Sequence, residues 1–229
     1  MNILTRIIYW LMGWPIRQVS RANSIPRPEI KVVEPVIGKP GDRPYMTPGI
    51  IALLALIRLH EGGRSDPYNA DFAQNNGWQI VGRTFDEVRT LGRSQVSLHH
   101  EASSAIGAYQ FLSKTLDSLK SSLELGGQEI FDEAMQDDLA IALAARRGLW
   151  DYARGGSITA SDFALNLSKE WASLPVPRAT RGASRQLRAG SSYYAGDGLN
   201  RSFHKVEDVM SAVRAIRTPP LINFAKEIA

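Results

Sequence analysis

A glutamate stands where a helix-forming apolar run stops. Ile50, Leu53, Leu54 and Ile57 recur at a spacing that puts them on one helical face, and Glu61, four residues after Ile57, continues that ridge. A carboxylate so placed feels two effects of the same sign. Burial disfavours the charged form, and the partial negative charge at a helix C-terminus repels it. Both raise its pKa, and a carboxylic acid that keeps its proton near neutral pH can donate it to a glycosidic oxygen. A solvated helix end beside Gly62-Gly63 is the competing reading of the same residues.

The element that must position Glu61 is legible at both ends. Thr47-Pro48 supplies an N-cap and a first-turn proline, the run from Ile50 to His60 is almost continuously apolar, and Gly62-Gly63 ends it. Residues 64–106 lose the helical period, and the alternating pieces Trp78-Gln79-Ile80-Val81 and Val96-Ser97-Leu98 predict a small hairpin or irregular lobe. Helical spacing then returns over Gly107–Leu119, Glu129–Arg147 (closed by Gly148), Ser161–Trp171, with Phe163, Leu167 and Trp171 on one stripe, and Ser202–Arg217. The expected class is therefore α+β, mainly α, with a small β-hairpin lobe.

Three segments are expected. Residues 1–46 form an amino-terminal apolar segment and a proline-rich arm, 47–218 the folded domain, and 219–229 a tail. The apolar run Ile7–Trp14 is too short to span a bilayer, which needs roughly 20 residues. It is compatible with a signal-like region, a membrane-interface anchor, or a short helix packed on the domain or on a partner. Cysteine is absent, so neither disulfides nor thiolate metal ligation contribute, and the formal charge of +4 favours polyanionic surroundings. Much of that charge sits between Pro175 and Tyr193, where Arg178, Arg181, Arg185 and Arg188 occupy a stretch without apolar period. It reads either as a solvated loop or as a basic flap meeting an anionic substrate.

Ordered landmarks narrow the reading. His60-Glu61-Gly62-Gly63 after an apolar helix is followed by Gly107-Ala108-Tyr109-Gln110-Phe111-Leu112-Ser113-Lys114-Thr115. Gln136-Asp137 before Leu139, Arg146-Arg147-Gly148-Leu149, and Ser168-Lys169-Glu170-Trp171-Ala172-Ser173-Leu174-Pro175 come next. In that order they resemble the phage lambda endolysin family of lytic transglycosylases, over about residues 48–215. The lobe departs from the family's pattern: Thr84-Phe85-Asp86 stands where a phenylalanine-threonine-aspartate run is usual, and His99-His100 replaces a histidine-proline pair.

The resemblance implies a lysozyme-like fold acting on peptidoglycan glycan strands in the periplasm or cell wall, with Glu61 as catalytic acid and base. Glu61 would protonate the oxygen joining N-acetylmuramic acid to N-acetylglucosamine, then accept the proton of the muramic 6-hydroxyl as that oxygen closes on C1. A 1,6-anhydro sugar results, and no second carboxylate is required. Substrate-binding roles fall to Tyr109 and Gln110 at an expected helix start, with Gly107, Asp86 and Trp171; core packing competes for Tyr109 and Trp171, and a turn for Gly107.

Hydrolysis by a muramidase of the same fold is the alternative, which would recruit a second acid from Asp66, Asp71, Asp86, Glu87 and Glu101, with Asp86 preferred. A non-catalytic wall-binding component of a virion or secretion machine is the other, with residues 1–46 as the attachment to that assembly or to a membrane surface. The four histidines lack partners at familiar ligand spacings and the glycines form no phosphate loop, so neither metal nor cofactor is expected. Aromatic-basic interleaving is also missing, so no nucleic-acid partner is expected.

Overall fold

A computed structural model describes residues 43, 45–63, 65–72, 77–97, 103–198 and 200–217. The apolar segment Ile7–Trp14, most of the proline-rich arm, His99-His100, Glu101 and the tail 219–229 lie outside the described residues.

Among the described residues the chain is mainly helical, with one small antiparallel sheet. Helix α1 spans Pro48–Glu61; Thr47 caps it, its hydroxyl accepting from the Ile50 N–H at 3.4 Å, and Ile50, Leu53, Leu54 and Ile57 are its buried face. A single-turn 3₁₀ helix follows at Pro67–Asn69. Then come α2 (Phe85–Ser97), α3 (Ser113–Ser122), α4 (Glu133–Arg146), α5 (Leu149–Ala153) and α6 (Ala160–Ser168). A hairpin of β1 (Thr180–Arg181) and β2 (Gln186–Leu187) precedes α7 (Val206–Ala215).

Helix α4 is the hub. Every residue from Met135 to Ala144 is buried, as expected of a helix enclosed on all sides by its neighbours. Its start is set by Asp132, whose side chain accepts the Met135 N–H at 2.7 Å, so it begins four residues after Glu129. Phe85, Phe111 and Phe131 meet edge to face, with centroid spacings of 6.1 and 6.3 Å, and tie the lobe to the core. Helix α1 lies along α7; a Cβ on Gly49 would fall 2.4 Å from the Ala215 carbonyl carbon, so glycine is what lets the two backbones touch.

The structure decides two expectations. Of the small hairpin or irregular lobe expected over 64–106, the described residues take the irregular form, with 77–80 without regular structure and 85–97 helical, and the sheet lies in the arginine-rich segment instead. The reason is a reciprocal cap. The Glu87 carboxylate accepts from the Thr84 N–H at 2.7 Å while the Thr84 hydroxyl accepts from the Glu87 N–H at 3.3 Å, which nucleates α2 and sends Phe85, Val88, Gly92 and Gln95 inward.

Residues 107–110, expected to open a helix, are instead the loop of a tight hairpin closed by paired Ile106 and Phe111, whose reciprocal bonds measure 3.1 and 2.9 Å. Gly107 (φ 77°) and Gln110 (φ 50°) adopt the left-handed region there, and helix α3 starts only at Ser113.

Candidate active site

Glu61 is the last residue of α1. Gly62 closes the helix with its N–H on the Arg58 carbonyl at 3.0 Å, and the chain turns away through Gly63 (φ 76°). The carboxylate is recessed where α1 meets the segment after α6, and Ser173 donates its N–H to Oε1 at 3.2 Å. Burial pushes the Glu61 carboxyl above the ordinary range, and Ser173 only partly opposes it. The carbonyl oxygen of a neutral acid is its better acceptor, so the Ser173 N–H on Oε1 favours the proton on Oε2. The group can therefore present an O–H on one oxygen while the other is held.

The second wall is pressed directly against the first. A Cβ on Gly62 would sit 2.6 Å from Pro67 Cβ and 3.0 Å from the Ala108 carbonyl oxygen, so the end of α1, the 3₁₀ helix and the 107–110 turn share one junction. Gln136 locks it from beneath. Fully buried, it accepts the Ala108 N–H on Oε1 at 2.8 Å and donates from Nε2 to the Tyr68 carbonyl at 3.0 Å. A Cβ on Gly107 would fall 2.6 Å from that same Oε1, which is why glycine occupies the position.

One turn before Glu61, Arg58 anchors α1 to α4: it donates to the Tyr109 hydroxyl at 2.7 Å and to Asp137 at 3.1 Å, and Asp137 also accepts from the Tyr68 and Tyr109 hydroxyls. Burial and the adjacent Asp137 push both tyrosines above the ordinary phenol range. They are fixed donors rather than acids.

Past Glu61 the chain borders a cavity of about 290 Å³ lined by Gly62, Gly63, Asp66, Asn69, Asp71 and Trp78, among others. Asn69 shapes its rim by accepting from the Ile80 and Val81 N–H groups at 2.7 and 2.8 Å. Half-buried Trp78, expected in a strand, instead offers an aromatic wall.

The residues singled out from sequence separate into two groups. Glu61 ends the helix whose next residue, Gly62, abuts the 107–110 turn, and that turn carries Gly107 and the more exposed Gln110, whose amide donates to the Gly107 carbonyl at 3.2 Å. Tyr109 and Trp171 are 1% and 3% exposed, so their rings pack in the core and present no face to a sugar. The Ala108 N–H, in the turn that replaces the expected helix start, is taken by Gln136.

Asp86 belongs to a different cluster. Both its oxygens accept from Lys120 Nζ at 2.7 Å and Oδ1 also accepts from Arg89, which clips α2 to α3. Lys120 foremost, then Arg89, holds the Asp86 carboxyl below the ordinary range, the reverse of what a proton-retaining acid needs.

Sequence reasoning overlooked Ser173 and Gln136 as positioning residues. Both stand in landmark runs, Trp171–Pro175 and Gln136-Asp137, and that was the only signal available. It also missed that His60 and His204 meet with ring centroids 4.3 Å apart, His60 stacking in turn on Phe203. Among the described residues no group of three or more histidine, cysteine or acidic side chains is arranged to hold a metal ion. No helix there is long and apolar enough to cross a membrane.

Residues 51–198 match the model of the family described as Endolysin. No curated protein and no solved structure matches the chain.

Proposed function

The chain belongs to the endolysin family and is thereby a peptidoglycan-degrading enzyme of the cell wall; from that premise we propose that it is a lytic transglycosylase in which Glu61 serves as acid and then as base. The observation that carries the reading is a single carboxyl, raised by burial, with Oε1 held by the Ser173 N–H, on the residue immediately before Gly62 and Gly63, which line a cavity bearing Trp78 as an aromatic wall.

In the first step Oε2–H protonates the glycosidic oxygen between N-acetylmuramic acid and N-acetylglucosamine, and the C1–O bond breaks with oxocarbenium character at C1. The carboxylate left behind is stabilised by the Ser173 N–H. It then removes the proton from the muramic 6-hydroxyl as O6 bonds to C1, which returns Glu61 to its acid form and releases a 1,6-anhydro end. Trp78 is the surface on which a sugar ring would stack, and the Gln110 amide, on the turn that abuts Gly62, is the group proposed for sugar hydroxyl or acetamido contacts.

Hydrolysis in the same cleft is the second reading, favoured by one observation: Asp66 and Asp71 line the cavity, whereas Asp86 is consumed in ion pairs. Mass spectrometry of digested sacculi separates the two, because an anhydro end is one water lighter than a reducing end. Anhydro ends from the native enzyme, and loss of clearing with retained wall binding in Glu61→Gln, are the expected results. Reducing ends would replace the transglycosylase reading with hydrolysis, and undiminished clearing by Glu61→Gln would remove Glu61 from both.

A further inference from the structure

The four arginines between residues 178 and 188 equal the formal net charge of the entire chain, +4, and outside them basic and acidic residues balance. The structure makes this segment a folded arm. Pro175 bridges to Ser192, the Val176 N–H donates to Ser191 at 2.8 Å, β1 pairs with β2, and the Gly182 N–H closes the turn on the Arg185 carbonyl at 2.9 Å. Leu187 is buried beneath it, and a Cβ on Gly182 would strike the Leu187 side chain at 2.4 Å and the Tyr193 carbonyl at 2.7 Å, so the turn is packed down on the chain that follows.

Charge on this arm is divided. Arg178 is neutralised by Asp162 at 2.7 Å and braced by Ser161. Arg181, Arg185 and Arg188 are exposed, and among the described residues none has a carboxylate partner; the one side-chain bond of Arg181 goes to the Ser184 carbonyl at 3.5 Å. Three uncompensated guanidinium groups on one short hairpin repel one another, and an anionic ligand relieves that repulsion. The root of the arm lies beside the acid: Ser173, two residues before Pro175, donates to Glu61 and accepts the Phe203 N–H at 2.9 Å.

We propose that the 176–192 hairpin, through Arg181, Arg185 and Arg188, is a subsite for the carboxylates of the peptide stems borne by the glycan strand, so that the enzyme selects stem-bearing over naked strands. The inference rests on the proposed function, because it takes the strand to lie across Glu61. The sugar chain itself is uncharged, whereas each muramyl lactyl group carries a short peptide ending in free carboxylates. A planar guanidinium fork matches a carboxylate with two parallel hydrogen bonds. Such contacts act mainly on KM and weaken with salt.

The test compares glycan strands carrying their stems with strands stripped by an amidase and then amidated at the lactyl carboxylates that stripping frees, using the native enzyme and the Arg181→Gln/Arg185→Gln/Arg188→Gln variant at low and at physiological salt. The native enzyme is expected to show a lower KM on stem-bearing strands, a preference reduced by salt. In the variant the ratio of the two KM values falls roughly tenfold toward unity, and its salt dependence flattens. Lysine at the three positions restores part of the salt-dependent preference.

Binding of both substrates to Glu61→Gln protein, with and without the arginine changes, reads the subsite independently of turnover. If Glu61→Gln still cleaves, the catalytic reading fails while this binding measurement stands. A preference that survives removal of the three arginines overturns the subsite. So does an equal loss on both substrates, or an effect confined to retention on anionic vesicles or nucleic acid.

Discussion

Replacing Gln136 by leucine isolates the junction that joins the two walls of the cleft. Leucine nearly preserves the volume, so the change leaves little cavity and acts by deleting two hydrogen bonds. The Ala108 N–H and the Tyr68 carbonyl, both bonded only through this amide in the geometry described, lose their partner beneath a fully buried side chain. Each orphaned buried group costs about 1–3 kcal/mol, so a loss of roughly 2–6 kcal/mol is expected. At about 2–4 °C per kcal/mol for a domain of this size, a mid-range loss of about 4 kcal/mol lowers Tm by about 8–16 °C.

Urea unfolding followed by circular dichroism measures the energy, and turnover of sacculi measures the consequence. Because the Ala108 carbonyl abuts Gly62, relaxation of the turn shifts the end of α1, and kcat should fall with little change in KM. Gln136→Glu provides an internal check. Its protonated form keeps an acceptor for Ala108 and a donor for Tyr68, so its deficit should shrink at acid pH. A stability loss below about 1 kcal/mol in Gln136→Leu would refute the claim that this amide is the lock.

Two pH predictions follow from the same region. Glu61 has its pKa raised by burial, so between the ordinary carboxylate value of 4.5 and its raised value the folded state binds more protons than the unfolded state. Native stability therefore falls, relative to Glu61→Gln, as pH rises through that window. Denaturation midpoints should coincide near the acid end and diverge in favour of the variant toward pH 8, and a gap independent of pH would contradict the burial argument.

His204 shifts the other way. Burial first, then neighbouring His60, depresses it to about 4 from 6.5, with Asp208 opposing. The unfolded state thus binds the extra proton, and stability present above pH 6.5 is lost as pH falls toward 4. After allowance for solvent around this half-buried ring, the loss is about 1–2 kcal/mol. His204→Phe should abolish that part of the acid limb, measured by melting between pH 4 and 7; an unchanged limb would show that another group carries it.

What could be read from the chain alone was whatever depends on near neighbours. The cap at Thr47-Pro48, the ridge from Ile50 to Ile57, the placing of Glu61 at its end and the stop at Gly62 all follow from helical spacing and backbone preference, and the structure keeps them. The Thr84–Glu87 cap was equally local, and the short alternating pieces around it drew attention away. Tertiary structure decided the rest, because the partners are remote. The 107–110 turn is held by Gln136, 28 residues beyond Ala108, and overrides a helical-looking run. Ser173 reaches Glu61 across 112 residues, and Tyr109 turns inward because Arg58 and Asp137 wait there. Periodicity records which face of an element is buried. It carries no information about which distant polar group will meet that face, and here those meetings shape the cleft and set the proton affinity of its acid.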